Sequence, residues 1–112
     1  MKNIADYLCE GIENPISRKR LEATTGYCDR VNRESLEVIR PDVPIVNLQD
    51  GNGYFIATED DADLQAALRQ YNREFGRAMK ILRGQRGVKN LLRNAGIIHN
   101  DDLDEALERR GI

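Results

Sequence analysis

Residues 15–57 read PISRKRLEATTGYCDRVNRESLEVIRPDVPIVNLQDGNGYFIA, and their reading decides the fold. Ser17 is a good helix cap, but Arg20 stands where a capping-box acid would complete it, so the cap is half made. A helix over residues 17–25 follows, with Leu21 as its main core residue and Ala23 or Thr24 beside it. Gly26 supplies the positive φ that a sharp helix-to-helix turn needs. A second helix, residues 28–39, has Asp29 in its positive first turn and buries Leu36 and Ile39. On the same face stands Asn32, where a branched apolar residue is normal; it is either buried and hydrogen-bonded or turned outward. Pro41 and Pro44 end the helix. Residues 45–48 and 54–57 are rich in β-branched and aromatic side chains, and Gln49-Asp50-Gly51-Asn52-Gly53 between them carries hairpin turn signals.

Outward from this stretch, residues 3–10 predict a short helix capped by Asn3 and stopped by Gly11, and Ile16 predicts a short extended segment after Pro15. On the other side, Thr58 caps a long helix with Glu59, Asp60 and Asp61 in its first turn. Leu64, Leu68, Tyr71, Phe75, Ala78 and Leu82 recur at four- and three-residue steps along it. Such a seam is either intramolecular core or a dimer contact; partial use of both is expected, with Tyr71, Phe75 and Leu82 as the intersubunit residues. Residues 88–93 predict a helical piece closed by Gly96, and Asn100 caps a last helix over 101–110.

At 112 residues one domain is the default, and 40% apolar with 32% charged residues suits a modest core under a charged surface. The expected organisation is 1–58, then the long helix 59–83 packing on it, then a helical tail 84–112. No run approaches the ~20 apolar residues of a membrane span. The N-terminus shows no apolar signal region, so no membrane partner is expected. Cys9 and Cys28 read as free, semi-buried thiols of a reduced cytoplasm. The net charge of −2 conceals segregation: Arg18-Lys19-Arg20 and eight cations from Arg69 to Arg93, against acids at 59–63 and 101–105.

Catalytic and metal readings fail. His99 is the only histidine, the two cysteines are 19 residues apart without a second pair, and Asp60-Asp61-Ala62-Asp63 lacks the glycine and terminal glutamate of a calcium loop. Asp50-Gly51-Asn52-Gly53 has no Lys-Ser/Thr and precedes a strand, so it is no phosphate loop. No enzyme, metal or cofactor is expected.

Two helices meeting at a tight turn and followed by a hairpin outline a winged helix-turn-helix, an α+β and mostly helical class, here with three helices, a hairpin wing, a long C-terminal helix and a short tail. The runs from Tyr7 to Leu21 (YLCEGIENPISRKRL), Thr25 to Arg30 (TGYCDR), Pro44-Ile45 and Gly53 to Ala57 (GYFIA) together resemble the small winged-helix proteins of bacterial phages and prophages. The resemblance covers about residues 4–75. Asn32 departs from its Val or Ile, and the hairpin loop has Asp50 in place of a cation. The resemblance implies a DNA-binding protein of the host bacterial cytoplasm, nucleoid-associated, acting in transcription regulation or replication initiation, with replication or transcription proteins as further partners.

On that architecture the second helix enters the major groove of double-stranded DNA. Arg30 and Arg33 are the base or phosphate candidates, with Cys28 and Asp29 at the same helix start and Asn32 reading adenine if it faces out. Ser17, Arg18 and Lys19 suit backbone phosphates, and Gln49 and Asn52 at the wing tip reach a sugar edge or the minor groove. Arg30 could equally pair with Glu34. The stripe Arg69, Arg73, Arg77, Lys80 is either a second phosphate strip or a solubilising face. A homodimer would read two half-sites. The alternative is a non-enzymatic protein–protein adaptor on the same shape, recruiting through surfaces that include the acidic residues of 100–108.

Overall fold

The computed structural model describes residues 3–98. The chain forms two compact units, Met1–Asn72 and Arg73–Ile112. The expected helix 101–110, with His99 and Asn100, lies outside the described residues.

In the first unit a 3-10 helix, Ile4–Tyr7, precedes α1 (Arg18–Thr25), α2 (Asp29–Ile39), β1 (Ile45–Leu48) and β2 (Gly53–Ile56). The architecture is α+β. The first helix is shorter than its apolar spacing suggested. Asn3 and Asp6 close a full capping box, yet the chain is already extended at Leu8. Leu8 points into the core, so burying it takes precedence over another turn.

The hairpin is antiparallel, pairing Ile45 with Ile56, Val46 with Phe55, Asn47 with Tyr54 and Leu48 with Gly53. Its other edge is also engaged. Ile16 and Tyr54 exchange two backbone hydrogen bonds of 2.9 Å, and Glu10 bridges Ile56 in parallel. The extended segment read at Ile16 is therefore a third strand fragment beside β2. Gly53 makes this pairing possible: its φ is +106°, and a Cβ there would overlap the Ile16 carbonyl. The hairpin loop is accordingly four residues, 49–52, with Gly53 drawn into the strand and Ala57 left outside it.

Alternation along the strands separates two core layers. Ile45 and Tyr54 face one way, onto Leu8, Leu21 and Leu36. Val46 and Phe55 face the other way, onto Ala66. Phe55 is fully buried and Leu21 nearly so. Ala23 and Thr24, expected beside Leu21, are exposed, because only one residue of this eight-residue helix turns inward. Gly26 takes the left-handed conformation, φ +80°, and its N–H closes α1 on the Glu22 carbonyl.

The next helix, α3 (Asp61–Gly84), starts later than Thr58 capping implied. Glu59 and Asp60 precede its first turn, which holds Asp61 and Asp63. Asp63 is buried and explains the shift. Its Oδ1 accepts the Ile12 N–H at 2.9 Å, and its Oδ2 accepts the Thr58 N–H and hydroxyl, both at 2.8 Å. One carboxylate thus ties the chain before α1 to the start of α3. The Thr58 and Ile12 amides hold its carboxyl below the ordinary value of 3.8.

The inward face of α3 in this unit is Asp63, Ala66, Ala67 and Gln70. Leu64, Leu68 and Tyr71 of the seam, the last read as an intersubunit residue, are about half exposed or more. Small residues win because they let the helix approach Phe55 and Val46 closely, and the polar pair is satisfied. The Gln70 side chain accepts the Asn47 N–H at 2.7 Å and donates to the Ile45 carbonyl at 3.0 Å, continuing the hydrogen bonding of β1.

The second unit comprises the remainder of α3 and α4 (Arg86–Asn94), with Gly96 at φ +75° beyond it. Gly87 lies inside α4. Met79 is buried there, while Ile81, Val88, Leu91 and Ile97 are exposed. Phe75 and Leu82 of the seam are partly buried and Ala78 is exposed. Among the described residues no helix is long and apolar enough to cross a membrane.

Candidate nucleic-acid interface

The start of α1 carries an unusual charge pattern. Ser17 caps it, its Oγ accepting the Arg20 N–H at 3.2 Å, and the next three residues are Arg18, Lys19 and Arg20. No acid stands in that first turn. Free amides and the positive dipole end disfavour cations there by a few tenths of a kcal/mol to ~1 kcal/mol each. The same arrangement attracts a polyanion.

The start of α2 lies beside it. Cys28 occupies the cap position without a capping hydrogen bond from its side chain. Asp29, in the first turn, reaches two arginines: its Oδ2 is 2.9 Å from Arg33 Nε and 3.9 Å from Arg18 Nη1. Both arginine side chains remain half exposed or more, at 52% and 56%, against 26% for Asp29. Contact with the Tyr54 hydroxyl first, and then the Asp29 charge, raise the Arg18 pKa above its ordinary value. Arg30 differs. Its partner Glu34 is 3.8 Å away and both are more than two-thirds exposed, a pair worth little.

Asn32 takes the buried alternative. It is 2% exposed, its Nδ2 donates to the Tyr27 carbonyl at 3.2 Å, and its Oδ1 accepts the Thr25 hydroxyl at 3.1 Å. It is therefore withdrawn from the outward-facing candidates, because its amide satisfies the turn between α1 and α2.

The hairpin tip joins α1. Ser17, Arg18, Lys19 and Gln49 line one open groove of about 460 Å³ together with Asn47, Leu48, Gly51 and Gly53. Asn52 does not line it; its backbone N–H and its Nδ2 both bond the Asp50 carboxylate, at 3.0 and 2.9 Å. That internal turn ties the Asn52 side chain back to Asp50. Cys9 and Cys28 are both free and both exposed, not half buried as their residue type suggested. Among the described residues no group of His, Cys, Asp and Glu could hold a metal ion.

Six of the ten residues nominated on this surface are thus gathered into two adjoining clusters: Arg18, Asp29 and Arg33 in one, Ser17, Lys19 and Gln49 with Arg18 again in the other. What sequence reading missed is the bridging role of Asp29 and the contribution of Tyr54. The Asp29–Arg33 spacing of four is visible in the sequence, but the eleven-residue separation of Arg18 and Asp29 gives no signal. Comparison with known protein families, curated proteins and solved structures finds no match to this chain.

Proposed function

We propose that the first unit is a winged helix-turn-helix that binds duplex DNA through the surface of residues 17–33, in a protein of phage or prophage type acting in transcription regulation or replication initiation. The element order supports it: a short helix, an extended fragment, two helices about a Gly26 turn, and a hairpin. The observation that carries it is the convergence of Arg18 and Arg33, from two different helices, on the largely covered carboxylate of Asp29. Residues 17–33 hold five cations and two acids in a chain whose net charge is negative. Such a local excess on adjoining helix starts fits a phosphate backbone.

The test is fluorescence anisotropy with random duplex DNA at two salt concentrations. Binding through several phosphates weakens steeply as salt rises. Absence of duplex affinity at low salt overturns the reading and favours the adaptor, for which the exposed Leu64 and Leu68 speak. Replacing Arg30 and Arg33 together by Ala is expected to weaken duplex binding; unchanged binding removes α2 from the interface.

A further inference from the structure

Arg18, Arg30 and Arg33, on the two helices that meet at the Gly26 turn, are not equivalent. Arg30 meets Glu34 at 3.8 Å with both side chains in solvent, a pair too weak to fix its guanidinium. Arg33 is held at 2.9 Å by a carboxylate that is three-quarters covered. Its closest approach is through Nε. A planar guanidinium engaged through Nε still has the N–H donors of its terminal nitrogens, and a pair of parallel donors matches O6 and N7 of guanine. Fixing the side chain beforehand removes part of the ordering cost on binding. Asp29 is itself held, being in the positive first turn of α2 and 3.9 Å from Arg18.

We propose that Asp29 is a positioning residue that presents the terminal donors of Arg33 to a guanine in the major groove, so that the preferred ligand is duplex DNA with a guanine at one defined position. The inference rests on the DNA-binding reading above and sharpens it from duplex DNA in general to a base preference. Arg18, which approaches the same carboxylate oxygen from α1 and lines the α1–hairpin groove, then serves the backbone.

The experiment selects preferred sites from a randomised duplex library with the parent, with Asp29→Asn and with Arg33→Lys. Asp29→Asn keeps a residue suited to the helix start. Arg33→Lys keeps the charge and loses the fork. The parent is expected to select a guanine whose replacement by 7-deazaguanine weakens binding on the order of tenfold or more. Both variants are expected to lose that preference, read as the ratio of affinity for the selected site to affinity for random duplex. Retention of the preference by Asp29→Asn overturns the proposal. So does a change in salt slope with the base preference intact, which would make Arg33 a phosphate contact. A parent that binds random duplex yet selects no guanine sinks this inference alone; a parent that binds no duplex sinks the DNA-binding reading with it.

Discussion

Thr25 and Asn32 are joined across the turn between α1 and α2, the Thr25 hydroxyl donating to Asn32 Oδ1 at 3.1 Å. The Asn32 amide nitrogen donates in turn to the Tyr27 carbonyl, and the Tyr27 N–H donates to the Thr25 hydroxyl. The polar residue in an otherwise apolar face is thus the bracket of the turn. Asn32→Ala is expected to lower stability in urea by roughly 1–3 kcal/mol, since it leaves two turn groups without partners in the interior. A loss within error of zero would mean that solvent satisfies the turn.

Two glycines of the hairpin make opposite predictions about space. Gly51 has φ +87° with open surroundings, so Gly51→Ala carries only the backbone strain, about 1–2 kcal/mol. Gly53→Ala adds an overlap with the Ile16 carbonyl and must break the pairing of Ile16 with Tyr54. Thermal denaturation of the two variants is expected to rank Gly53→Ala well below Gly51→Ala; equal midpoints would contradict the close approach.

Asp63 sets an acid limit. Its folded pKa is depressed, so its contribution is fully present above the ordinary value of 3.8 and is lost as pH falls through the lower, folded value. The urea midpoint is expected to drop below about pH 4. Asp63→Asn, less stable near neutrality, is expected to lack that part of the acid dependence. Parallel midpoint-versus-pH curves for parent and variant would disprove it.

Cys28 offers a probe of the interface at the start of α2. Both cysteines are free and exposed. Coupling a bulky thiol reagent to Cys28 in a Cys9→Ser background is expected to abolish duplex binding, and bound duplex to slow the coupling. The same reagent on Cys9 in a Cys28→Ser background is expected to leave binding intact, the two results being read by anisotropy and by mass.

Leu64 and Leu68 stand one turn apart on α3, each about half exposed. If a second copy covers them, the solution mass is twice 12.8 kDa and Leu68→Asp returns it to that of one chain. A parent already at the single-chain mass rules out the seam as a stable dimer contact.

The hairpin and the turn were legible from local chemistry: Val46 and Phe55 alternate with Ile45 and Tyr54, and Gly26 falls where a left-handed residue is required. The face of α3 was not. Four- and three-residue spacing marked Leu64 and Leu68, but the side turned inward has small residues, Ala66 and Ala67, between two polar ones, Asp63 and Gln70. Their partners, Ile12, Thr58, Ile45 and Asn47, are met only after folding. The candidate site divides likewise. Arginine positions were readable; the carboxylate shared between two of them depends on how α1 and α2 meet.

Gln70 has a consequence for how the protein behaves among other chains. A two-stranded ribbon with bare flanks is a template for strand addition, by a partner peptide or by a misfolded copy. Here one flank is closed by Ile16 and Glu10, and the other by a single side-chain amide acting as a short mock strand. β-augmentation is thereby blocked on both flanks, and amyloid-like stacking on the hairpin would first require α3 to let go.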